Sequence, residues 1–123
     1  MGRISKLTVH HDGMPPVTLS TESQVRDRIA LIRRAHVGNG WADLGYHYVV
    51  DPLGNVWEGR PISLQGAHVK NYNEGNVGVM VLGNFQEQRP TPQALTTLDA
   101  LIVTQMRQYR IRLDQVYTHQ ELR

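Results

Sequence analysis

Apolar positions along the chain fall into five short runs and two stretches of helical spacing. Leu7-Thr8-Val9-His10 is β-prone and is closed by the breaker cluster Asp12-Gly13-Met14-Pro15-Pro16. Thr21-Glu22-Ser23-Gln24 reads as a capping box with Gln24 at the third helical position. Val25, Ile29 and Ile32 follow at helical spacing with Leu31 beside them, which predicts a helix to about His36, ended by Gly38-Asn39-Gly40. Residues 46–51 and 55–58 predict two strands joined through Pro52-Leu53-Gly54 as a hairpin. Residues 61–74 are small or polar without periodicity and predict a long surface loop, a place where function tends to concentrate. The continuous apolar run 77–82, bounded by Gly75-Asn76 and Gly83-Asn84, predicts a strand covered on both faces. Thr91 caps a second helix with Pro92 at its first position, and Leu95, Leu98, Leu101, Ile102 and Met106 are its expected core stripe. Val116-Tyr117-Thr118 is a last short strand with His119 just past it. The order β-α-β-β-loop-β-α-β predicts an α/β class: one domain, residues 1–123, with a mixed central sheet flanked by helices.

Composition narrows the chemistry. At 123 residues, a second domain would lack the apolar surface for its own core. Cysteine is absent, which removes disulfides, thiol nucleophiles and thiolate metal sites together. Nothing approaches the roughly 18 apolar residues that span a bilayer, so no membrane span is expected. The formal net charge of +2 is mild, and Lys and Arg are scattered rather than interleaved with aromatics, which argues against a nucleic-acid partner. The densest basic group, Arg26, Arg28, Arg33 and Arg34, lies beside Glu22 and Asp27 and reads as a solvated helix face. The N-terminus has no apolar signal core, which leaves an intracellular protein and an exported one trimmed of its signal equally open.

His10 and His119 stand out by position, each at the carboxyl end of a predicted strand, where ligands collect in open α/β sheets. Two convergent imidazoles suit part of a zinc site, and strand-end hydrogen bonding is the competing reading. Tyr46 and His47 should point to opposite faces of one strand, one into the core and one to the site. His68, in the polar loop, suits either a substrate hydrogen bond or plain solvation. Trp41 and Trp57 suit buried anchoring or stacking on a sugar ring. His36, near a helix C-terminus, reads as a favourable charge on the dipole. Asp12 and Glu121 lie nearest the two histidines and read as solvated surface.

Six pieces occur in order: Val9-His10-His11, the stretch from Gly40-Trp41 through Gly45-Tyr46-His47 to Val50, Gly54 leading to Glu58-Gly59-Arg60, Gly66-Ala67-His68 through Tyr72-Asn73, Asn76-Val77-Gly78-Val79, and Thr118-His119. Together they resemble the type-2 N-acetylmuramoyl-L-alanine amidases, a family that includes phage amidase-type lysozymes and animal peptidoglycan recognition proteins. The resemblance spans about residues 7 to 123. It implies the peptidoglycan recognition protein fold, action on bacterial peptidoglycan at the wall, and a zinc ion as cofactor. By motif position, His10 and His119 are the implied zinc ligands and Tyr46 the catalytic hydroxyl over the metal. His68 is implied in substrate binding, and Asn73 in the loop bordering the same groove. His11 should face away from His10. In relatives the third ligand is a Cys or Asp some eight to ten residues after the second His, with a catalytic Lys or Thr shortly before it. Arg123 comes four residues after His119, so this chain is expected to lack that segment. Two functions follow: a zinc-dependent amidase hydrolysing the lactyl–L-Ala amide, or a peptidoglycan-binding module that does not cut.

Overall fold

A computed structural model describes residues 1–12, 19–38, 44–83 and 89–118. The breaker cluster beyond Asp12, the turn after Gly38, Trp41, His119, Glu121 and Arg123 lie outside the described residues. The strands are β1 (Lys6–His11), β2 (Tyr48–Val50), β3 (Val56–Glu58), β4 (Asn76–Val81) and β5 (Val116–Thr118); the helices are α1 (Glu22–Gly38) and α2 (Pro92–Tyr109). One sheet orders the strands β3-β2-β4-β1-β5. β1 runs parallel to both β4 and β5, β4 is also parallel to β2, and β2–β3 is an antiparallel hairpin. The expected element order and mixed sheet are therefore present.

Local signals act as the sequence predicts. Gln24 N donates to Thr21 Oγ1 (3.2 Å) while Thr21 N donates to Gln24 Oε1 (3.2 Å), the reciprocal capping box that starts α1. Thr91 Oγ1 accepts from Ala94 N (3.1 Å) and donates to Pro52 O (2.7 Å), so the cap of α2 also ties it to the β2–β3 turn. That turn is built around Asp51, whose carboxylate accepts from Leu53 N, Asn55 N and the Trp57 indole. Trp57 is thereby held as a structural anchor, with the Arg26 guanidinium 5.8 Å from its ring.

All six residues of β4 are buried, because it has strands on both sides and a cover on both faces. Side-chain alternation divides what it touches. Leu7, Val50, Val77, Val79 and Val81 pack with Ala94, Leu98, Leu101, Ile102 and Met106 of α2. On the opposite face Val49, Met80 and Leu82 pack with Val25, Ile29 and Ile32 of α1. Leu95 departs from its expected place and is 45% exposed, while Ala94 and Gln105 are buried. The inward stripe runs through 94, 98, 101, 102, 105 and 106, and Leu95 sits one residue, about 100° of helix, off it.

A second correction concerns charge. Arg28 and Asp12, both expected on the solvated surface, have side chains only 10% and 1% exposed and pair at 3.4 Å. Arg28 falls between Val25 and Ile32 on the inward edge of α1, where β1 delivers Asp12. The same carboxylate accepts from Gly83 N (3.1 Å), which ties the ends of β1 and β4 to α1. Arg26, in contrast, is exposed with Glu22, as expected of a solvated face.

Candidate active site

Helix α1 covers only part of its face of the sheet. Where it does not reach, that face carries Thr8, His10, Asn76 and Gly78, which share a side by strand alternation and register (Thr8 opposite Gly78, His10 opposite Met80). The loop between β3 and β4 lays His68 onto this polar floor. Its imidazole lies against Gly66 and Gly78: a Cβ on either would come within 2.5 or 2.6 Å of His68 Cδ2. The glycine in the middle of β4 is there because an aromatic ring rests on the backbone.

A network of hydrogen bonds holds that ring. Asn73 Oδ1 accepts from the backbone N–H of His68 (2.9 Å) and of Val69 (2.8 Å). Asn76 Oδ1 accepts from Thr8 Oγ1 (2.9 Å), and its amide donates to Tyr72 O (2.8 Å). His68 Nε2 lies 3.0 Å from Asn76 O, and His68 Nδ1 lies 2.9 Å from His10 Nε2. His10 and His68 are both buried, with rings edge to face at 5.0 Å.

Tyr46 closes the site from the approach to β2. Its ring centroid is 5.3 Å from that of His10 and 6.4 Å from that of His68. Burial, and then the nearby Asp12 carboxylate, push its phenol above the ordinary value, so Tyr46 keeps its proton through the neutral range. His47, the next residue, is fully buried, its ring edge to face with that of His68 at 6.1 Å. Its Nδ1 accepts from Gly78 N (3.0 Å) and its Nε2 donates to Leu64 O (2.8 Å). Burial holds His47 below the usual imidazole value, so it is a neutral strut between the loop and β4.

His36 was read from sequence as a charge on a helix end, and the structure corrects this. Its Nδ1 accepts from Gly45 N (2.9 Å), its ring lies 5.6 Å from Tyr46, and burial followed by the Arg60 guanidinium lowers its pKa. His36 is thus a neutral group beside Tyr46. The signal was available in the spacing, because residues 25, 29, 32 and 36 form one inward stripe. Arg60 also borders the site, held by Leu44 O (2.9 Å) and Gln65 O (2.7 Å).

The fold therefore brings His10, Tyr46 and His68 together, with Asn73 acting through the backbone of His68. Val9 pairs with Thr118, so the described part of β5 stops one residue short of His119. Among the described residues no three His, Cys, Asp or Glu side chains form a metal cluster.

The N-acetylmuramoyl-L-alanine amidase family (Amidase_2) matches residues 1–123. This chain belongs to that family. Peptidoglycan-recognition protein LB of Drosophila melanogaster is 30% identical over 94 residues, covering 76% of this chain and 40% of that protein. The endolysin of Escherichia phage T7 is 34% identical over 83 residues, 63% of this chain and 55% of the endolysin. The chain thus spans about half the length of such relatives. Among solved structures, the amidase LysC of Clostridium intestinale superposes with a TM-score of 0.84 at 28% identity, covering 99% of this chain and 74% of LysC. A Drosophila PGRP-LB mutant in complex with tracheal cytotoxin superposes with a TM-score of 0.84 at 25% identity, covering 100% and 73%. The amidase family thus joins proteins named as amidases and proteins named for recognising peptidoglycan on one fold.

Proposed function

We propose that this chain carries the site of a zinc-dependent N-acetylmuramoyl-L-alanine amidase acting on the lactyl–L-Ala amide of bacterial peptidoglycan. The observation that carries the reading is the pairing of buried His10 with Tyr46 at the carboxyl end of β1, beside the end of β5, in a chain of this family. His10 and His119 would hold the metal. The chemistry of His10 fits that role, since its ring is buried, anchored through Nε2 and set among groups that keep it oriented. A bound zinc supplies a water of lowered pKa and polarises the amide carbonyl. The protonated Tyr46 hydroxyl donates a hydrogen bond to the carbonyl oxygen as charge develops there. His68 and Asn73 shape the wall of the groove that receives the muropeptide, and His36 and Arg60 border it.

Mass spectrometry of purified peptidoglycan incubated with the chain, with zinc and with a chelator, tests this. Stem peptides bearing a free L-Ala amine are expected with zinc, and are lost with chelator and in His10→Ala. Zinc-dependent release that survives His10→Ala would reject the ligand assignment.

The second reading is a peptidoglycan-binding module that does not cut. Its support is that Asp12, the carboxylate nearest His10 in sequence, is already committed to Arg28 and Gly83 N and is poorly placed to complete a metal site. Retention on insoluble wall without any released product, with zinc present, would favour it.

A further inference from the structure

We propose that His68 is a positioning residue that fixes the proton of His10 on Nε2 and thereby presents Nδ1 as its metal-binding nitrogen. The metal part of this inference rests on the zinc reading above; the proton placement does not.

The hydrogen-bond chain is directional because it ends on a carbonyl. Asn76 O can only accept, so His68 Nε2, 3.0 Å away, carries a proton and donates it. In a neutral imidazole the other nitrogen is then an acceptor. His68 Nδ1 faces His10 Nε2 at 2.9 Å, so His10 Nε2 must be the N–H donor. Neutral His10 then has its lone pair on Nδ1, the form in which imidazole binds a metal. A ring that donates its other N–H to a fixed acceptor is held in one tautomer and one orientation, and becomes more basic toward the metal.

The relay is rigid at each link. The carbonyl belongs to Asn76, whose side chain is bonded to Thr8 and Tyr72 and is fully buried. The His68 ring is clamped between the Gly66 and Gly78 backbones, and its main chain is held by Asn73. A surface histidine that contacts substrate needs none of this clamping. A histidine whose ring nitrogens must stay within hydrogen-bond range of two partners requires it.

The test uses the full chain labelled with ¹⁵N-histidine. Long-range ¹H–¹⁵N spectra of the metal-free protein at about pH 8, where model imidazoles are neutral, are expected to show Nε2 protonated in both His10 and His68. A proton on His10 Nδ1 would overturn the proposal whatever the protein's activity. Zinc affinity, measured by competition with a chromogenic chelator, gives the second arm. His68→Leu should weaken zinc about 10- to 100-fold. His68→Asn, whose Oδ1 can stand near the site of Nδ1 and accept from His10, should recover most of that loss. If His10→Ala abolishes zinc binding while both His68 variants bind like the parent, the relay is wrong and the zinc reading stands. If His10→Ala binds zinc normally, the zinc reading fails and the spectra alone judge the relay. Should His68→Leu not fold, the parent spectra and His68→Asn decide the matter.

Discussion

Gly78→Ala is the sharpest probe of how this site is held. The added Cβ would lie 2.6 Å from His68 Cδ2, 2.8 Å from Cγ and 2.9 Å from Nε2. Ordinary carbon contacts sit at about 3.5–4.0 Å, so the ring must retreat by about 1 Å. Its two hydrogen bonds, now 2.9 and 3.0 Å, would lengthen toward 4 Å and cease to be bonds. Leaving buried polar groups unsatisfied costs about 1–3 kcal/mol, and overpacking a similar amount. Against this, alanine gains roughly 0.5–1 kcal/mol over glycine inside a strand. The expected net loss is about 2–4 kcal/mol. For a chain of 123 residues, unfolding entropy of about 2.1 cal/mol/K per residue converts this to a fall in Tm of roughly 8–16 °C. Calorimetry of a double-mutant cycle isolates the cause. All three atoms nearest the new Cβ belong to His68, so in a His68→Ala background the same change should be neutral or stabilising by up to about 1 kcal/mol. An equal penalty in both backgrounds would refute the clash with the ring.

Three further outcomes are expected. Burial lowers the pKa of both His36 and His47, so below about pH 6.5 the unfolded chain binds protons that the folded one resists. Urea midpoints should therefore be level from pH 8 to about 7 and fall below 6.5, and a midpoint unchanged down to pH 5 would contradict the burial argument. Asp12→Ala leaves Arg28 buried without its carboxylate and should cost about 3–5 kcal/mol, whereas Asp12→Leu with Arg28→Met should recover much of it; chemical denaturation measures both. In the proposed amidase, Tyr46→Phe should reduce kcat about 10²- to 10³-fold with KM little changed, and an unaltered kcat would remove the phenol from the chemistry.

The elements were legible in the sequence wherever the signal is local. The Thr21–Gln24 box, the Thr91-Pro92 start and the all-apolar β4 each follow from contacts within a turn or from a two-sided burial requirement. The family motifs likewise drew attention to His10, Tyr46 and His68 before any geometry was known. What spacing could not supply was who faces whom. Leu95 was one position off the stripe, Asp12 and Arg28 became a buried pair, and His36 became a neutral neighbour of Tyr46. The role proposed for His68 depends on a bond to a residue 58 positions away, and on a glycine in β4 that leaves room for its ring. Sequence periodicity reports one element's exposure to the average of its surroundings. Tautomers, ion pairs and close approaches depend on which residues the parallel register of β1, β4 and β5 sets side by side, and that register exists only once the sheet has formed.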